Sequence, residues 1–143
     1  MQKITPFLWF DGQAEDAMNF YTSIFQNSKV AGGPNAAFEL DGVEFIAFNG
    51  GPHFKFNEAI SLYVDCKSQE EVDYYWEKLM SGGGAPSQCG WLKDKFGVSW
   101  QIVPDALPRL LKDPDRAKAN RVMQAMMKMK KIVVADLEAA ARG

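Results

Sequence analysis

The chain repeats itself at an offset of 54 positions, which aligns Ile4-Thr5-Pro6-Phe7-Leu8-Trp9-Phe10-Asp11 with Glu58-Ala59-Ile60-Ser61-Leu62-Tyr63-Val64-Asp65. The continuation repeats as well: Met18 falls on Val72, Phe20 and Tyr21 on Tyr74 and Tyr75, Phe25 on Leu79, and the stretch Phe45 to Asn49 on Ser99 to Val103. Repetition at this period means two copies of one supersecondary unit, and a duplicated unit is expected to place its pocket between the copies.

Each copy opens with a strand and passes through an Asp into a helix. In the first, Asp11 is the expected N-cap, and Ala14, Ala17, Met18, Tyr21, Ile24 and Phe25 form one apolar stripe. In the second, Ser68 and Glu71 form a capping box, and Val72, Tyr75, Trp76 and Leu79 supply the stripe. Gly82-Gly83-Gly84 then stops the helix. Strands are expected at Lys29 to Val30, Ala36 to Leu40 and Val43 to Asn49, and again at Ser87 to Gly90, Trp91 to Lys93 and Val98 to Val103. Asp41-Gly42 reads as a hairpin turn. This divides the chain into a first module at 1–51, a second at 52–104 and a helical extension at 105–143. In the extension, Asp113-Pro114 reads as a cap with a first-turn proline, and Val122, Met123, Met126 and Met127 as an apolar face.

Composition narrows the classes. A chain of 143 residues, 47% hydrophobic and 24% charged, suits a single globular domain with a substantial core. No apolar run approaches the roughly 20 residues of a bilayer helix, and the N-terminus lacks the basic-then-apolar order of a signal peptide, so a cytoplasmic protein with no membrane partner is expected. A net charge of −2 without a long basic run argues against nucleic acid, and Lys128, Lys130 and Lys131 read as a solvated helix end. Cys66 and Cys89 read as free thiols, and no zinc spacing is present.

Strand alternation separates the faces of the sheets. Ile60, Leu62 and Val64 are expected to meet the helices, with Ile46, Phe48, Trp100 and Ile102. Thr5, Phe7, Trp9, Ala59, Ser61 and Tyr63 then face away, with Phe45, Ala47, Asn49, Ser99, Gln101 and Val103. A concave surface of this mixed character suits a small organic molecule. Trp9 and Tyr63 would be stacking walls, and Asn49, Ser61 and Gln101 orienting polar groups. Trp91 and Trp100 read as core, and Asp11 and Asp65 as helix caps.

The paired modules resemble the vicinal oxygen chelate superfamily of glyoxalase I, extradiol dioxygenases and bleomycin-resistance proteins. More narrowly, Ile4 to Gly12, Asn49-Gly50-Gly51-Pro52, Gln88 to Asp94 and Gly97-Val98-Ser99-Trp100-Gln101-Ile102-Val103-Pro104 resemble its PhnB-like branch, often labelled 3-demethylubiquinone-9 3-methyltransferase. The branch usually carries a longer glycine- and proline-rich loop where this chain has Val30 to Asn35. The resemblance implies an α+β fold of two βαβββ modules with curved mixed sheets, followed here by C-terminal helices, and a homodimer. It also implies that the superfamily's four metal-ligand positions fall on Thr5, Ala47, Ala59 and Gln101. Two alanines and two neutral oxygens are not a transition-metal ligand set, so no metal and no cofactor are expected.

Three functions follow as expectations. The first is a metal-free protein that binds a small metabolite. The second is a metal-dependent lyase, isomerase or dioxygenase that has recruited other ligands, such as His53 with Glu44 or Glu58. The third is a methyltransferase, as the label suggests. It is disfavoured because the first strand ends in Asp11-Gly12-Gln13, without a glycine-rich nucleotide turn. A triad would have to use His53, the sole histidine, as its base, but it reads better as an exposed or capping loop residue; Cys89 is the candidate reactive thiol, with nothing near it in sequence to activate it.

Overall fold

Strand β1 (Phe7–Phe10) leads through a turn into helix α1 (Ala14–Ile24), followed by β2 (Lys29–Ala31), β3 (Ala36–Leu40) and β4 (Val43–Asn49). The order then repeats as β5 (Leu62–Cys66), α2 (Gln69–Met80), β6 (Ala85–Pro86), β7 (Trp91–Lys93) and β8 (Ser99–Pro104). Helices α3 (Ala106–Leu111), α4 (Arg116–Met127) and α5 (Val134–Arg142) complete the chain. This computed structural model describes residues 2–31 and 36–143, so four residues of the 30–35 stretch lie outside the described part. Contacts divide the chain into two units, Met1–Asn57 and Glu58–Gly143, the C-terminal helices belonging to the second.

Both units hold a mixed four-stranded sheet of the same topology, β1-β4-β3-β2 and β5-β8-β7-β6. In each, the first strand runs parallel to the last and the other pairs are antiparallel. The duplication is therefore structural. The hairpin between β3 and β4 turns at Asp41 (φ 48°) and Gly42 (φ 81°), the two positive φ values of a type I′ turn.

In the first unit α1 lays Ala14, Ala17, Met18, Tyr21 and Ile24 into the core. Tyr21 stacks on Phe38 at 6.1 Å, and Phe38 on Phe45 at 5.2 Å. Phe45 and Ala47 are buried, while Phe48 is 42% exposed. The helix-facing set of β4 is thus Phe45 and Ala47, not Ile46 and Phe48 as alternation at an unbroken 54-residue offset predicts. The pairing register gives the reason. Leu8 faces Ala47, whereas Leu62, its counterpart 54 positions on, faces Trp100, which is 53 positions on from Ala47. The offset loses one residue before the final strand, and a slip of one reverses every side chain. In the second unit Trp100 and Ile102 are buried on the α2 side as expected, beside Val72, Trp76 and Leu79.

Several boundaries also move. The N-cap of α1 is Gln13 rather than Asp11, and Asp65 lies within β5, where it pairs with Lys67 at 2.8 Å. Ser68 caps α2 as predicted, accepting from the Glu71 amide, while Glu71 accepts from the Lys67 amide. Ile60 precedes β5 and is exposed. Residues 87–90 form a turn, not a strand. Helix α4 is capped by Asp115, two residues after the expected Asp113, and the short α3 was not foreseen.

The C-terminal helices close over the end of β8. Val103, Leu107, Leu110, Val122, Ile132, Leu137 and Ala141 form one buried cluster. Two backbone bonds, Cys89 N–H to Met129 O and Gly90 N–H to Lys130 O, tie the 88–90 turn to the segment between α4 and α5. Gln69 spans Ile132 O and Val134 N–H with its amide. Val103 faces away from α2, as predicted, but the extension covers it.

Candidate functional site

In the first unit Phe7, Trp9, Ile46 and Phe48 share the face turned away from α1. Phe48 meets Phe7 at 5.3 Å and Trp9 at 5.3 Å, and Phe54 adds an edge contact to Trp9 at 4.9 Å. The Trp9 indole donates to Gly51 O at 2.9 Å, which fixes the ring and uses its only donor. The Trp9 ring is therefore held in place on this face. Asn49, expected beside it, follows Ala47 to the opposite side, where its Oδ1 accepts from the Ala14 amide at the start of α1. It does for this helix what Asp11 was expected to do. His53 is exposed in the following loop.

In the second unit Ser61, Tyr63 and Gln101 share the face turned away from α2, as predicted. Gln101 donates to the Ser61 hydroxyl at 2.9 Å. Tyr63 lies opposite Gln101 in register and is 54% exposed; burial, then the charges of Asp65 and Cys66, push its phenol above the ordinary range.

The same face continues across β7, where Trp91 pairs with Gln101 and Lys93 with Ser99. Here lies a cavity of about 230 Å³, lined by Glu58, Pro86, Ser87, Trp91, Lys93 and Ser99 among others. Lys93 Nζ meets Glu58 Oε1 at 2.9 Å, and the lysine beside Glu58 holds its carboxyl below the usual range. Ser99 is 2% exposed, and its hydroxyl has no hydrogen-bond partner among the described residues. Trp100 is core as expected, packed at 2% exposure with its indole on Asp94 Oδ2 at 2.9 Å, whereas half-buried Trp91 is a cavity wall. Sequence alternation put Ser99 on the correct face, but Trp91 was read as core and Glu58 only as an alternative metal ligand, and Lys93 was missed. The available signal was the short alternation Trp91-Leu92-Lys93 opposite Ser99 to Gln101.

The residues do not fit the metal site the superfamily implies. Gln101 shares its face with Tyr63, and the matching position of the first unit, opposite Trp9, is Phe48 rather than the buried Ala47. Among the described residues no three His, Cys, Asp or Glu side chains converge as a metal would require. Glu58, one alternative ligand, is engaged by Lys93. Of the two free thiols, Cys66 is buried and its pKa is pushed up to about 12, chiefly by burial, which removes it as a nucleophile. Among the described residues no helix is long and apolar enough to cross a membrane.

The family model described as 3-demethylubiquinone-9 3-methyltransferase matches residues 2–36 and 32–103. Among solved structures, the PhnB protein from Bacillus cereus is 40% identical, covering 72% of this chain and 99% of its own, with a TM-score of 0.66. A glyoxalase/bleomycin resistance protein from Albidiferax ferrireducens T118 is 15% identical over 69% of this chain and 95% of its own, with a TM-score of 0.51. The fosfomycin resistance protein FosX from Listeria monocytogenes is 18% identical over 70% and 89%, with a TM-score of 0.50. These last two share the fold. No curated protein matches. With the family model spanning most of its length and both sheets in the glyoxalase-like topology, the chain belongs to the 3-demethylubiquinone-9 3-methyltransferase family, the PhnB-like branch of the vicinal oxygen chelate superfamily.

Proposed function

We propose that this protein binds a small organic metabolite on the sheet faces turned away from α1 and α2, without the metal site of its enzymatic relatives. The observation that carries the reading is the 230 Å³ cavity of the second unit, which continues the face of Ser61, Tyr63 and Gln101. Trp9 is the aromatic wall of the corresponding face in the first unit. Asn49 leaves the set, because its side chain is committed to α1. A homodimer in the cytoplasm completes the proposal; the exposed Met123 and Met127 of α4 offer apolar surface to a second copy.

The test is a titration of ¹⁵N-labelled protein with a library of small aromatic and polar compounds. Saturable shifts at Tyr63, Trp91, Ser99 and Gln101 are expected, with weaker binding in Tyr63→Ala. If Tyr63→Ala and Trp9→Ala both bind an identified ligand as tightly as the parent does, the reading is overturned. Elemental mass spectrometry on protein purified without chelators supplies the second arm. One tightly bound transition metal per chain, lost in His53→Ala, would favour a lyase, isomerase or dioxygenase. Calorimetric binding of S-adenosylmethionine would favour the methyl transfer that the family description names. Sedimentation at micromolar concentration decides the dimer.

A further inference from the structure

We infer that the cavity beside β6, β7 and β8 takes a neutral, planar molecule of about one ring, which hydrogen-bonds the Ser99 hydroxyl and lies against Trp91. This rests on the binding function proposed above and names its ligand class.

Size is the first argument. At about 230 Å³ the cavity falls below the roughly 300 Å³ at which pockets for drug-sized ligands begin. A single ring with one substituent is the appropriate scale.

Charge is the second. Both charged side chains in the lining, Glu58 and Lys93, already neutralise each other at 2.9 Å. A singly charged ligand would have to compete with this pair, whose side chains remain 42% and 63% exposed and hydrated. A neutral ligand leaves the pair intact.

The third argument is the unmet hydrogen bond. Gln101 donates to Ser61, whereas Ser99 Oγ is the buried side-chain atom left without a partner among the described residues. Buried polar groups are seldom left so, because the group has lost its water and gained nothing in return. Ser99 lies opposite Lys93 in register and lines the cavity, so a ligand there can supply the missing partner. Trp91 lines the cavity with an aromatic side chain and Pro86 adds an apolar wall, which suits a flat body with a single polar group.

The experiment uses the full-length ¹⁵N-labelled protein and four probes of one size: benzamide, benzoate, benzylamine and toluene. Benzamide should bind saturably, with shifts centred on the amides of Trp91, Lys93 and Ser99, and at least severalfold more tightly than the other three. Ser99→Ala should weaken benzamide about tenfold, the scale of one hydrogen bond, and leave toluene unchanged. The variant should fold with an unchanged or higher urea midpoint, since the hydroxyl it removes has no partner. A lower midpoint would reveal a structural role for Ser99 and defeat the inference. Tighter binding of benzoate or benzylamine at the same amides would overturn the ligand class while sparing the binding function. Shifts that avoid these amides, or no saturable binding by any of the four probes, would overturn the inference, while the binding function stands or falls with the wider library.

Discussion

The indole of Trp9 lies so close over Gly50 that a Cβ at that position would stand 2.2 Å from the ring carbon Cζ2. No real Cβ tolerates that distance, and the ring is held in place by its bond to Gly51 O and its edge contacts with Phe48 and Phe54. Gly50→Ala must therefore displace the ring or the backbone. A loss of about 1–3 kcal/mol is expected from urea unfolding, with a shift in tryptophan emission as Trp9 leaves its site.

Asn49 carries the first helix. Removing its oxygen leaves the Ala14 amide without its acceptor, and no side chain at Gln13 or Asp11 replaces it. Asn49→Ala should cost about 0.5–2 kcal/mol in urea unfolding and leave the affinity of any ligand within twofold of the parent. A large loss of affinity at unchanged stability would return Asn49 to the binding set.

The Cys66 thiol makes stability fall in alkali. Burial raises its folded pKa from 9.0 to about 12, so the native state keeps a proton that the unfolded chain releases. Because the unfolded state then binds fewer protons, the contribution is complete below pH 9 and is lost as pH rises towards 12. Urea midpoints should fall more steeply over that range in the parent than in Cys66→Ala. At pH 8 the folded protein should expose only Cys89 to a disulfide reagent, with Cys66 reacting on unfolding.

Ile132 anchors the extension. It is fully buried in the C-terminal cluster, and its side chain approaches Gly90 to within 3.0 Å of the position a Cβ would occupy. Ile132→Ala should cost about 2–5 kcal/mol. Hydrogen exchange at Cys89 and Gly90, whose amides bond to Met129 O and Lys130 O, should accelerate with it.

Much of this fold was legible because both copies carry period-3.6 stripes and the first carries a clear hairpin turn. Ser68 with Glu71, the glycine run after α2 and the buried Trp100 and Ile102 all follow from local pattern. What pattern could not reveal was the single residue lost before the final strand, since Ile46, Phe48, Phe45 and Ala47 are all apolar and either parity reads as acceptable. Only the pairing of Leu8 with Ala47 and of Leu62 with Trp100 exposes the slip. The cap was misread for a related reason: Asp11 is near in sequence, but Asn49 reaches Ala14 across the sheet. The cavity draws on Glu58, β7 and β8, and such convergence leaves little trace along the chain.

The turn that carries Ser87 and leads into Trp91 is braced by Met129 and Lys130, which lie beyond the last residue of the family match. One wall of the cavity is thus set by sequence the family does not define. Shared ancestry in the two modules passes on the sheets, but it does not guarantee the shape of this hollow, and a relative can keep every strand while accommodating a different molecule.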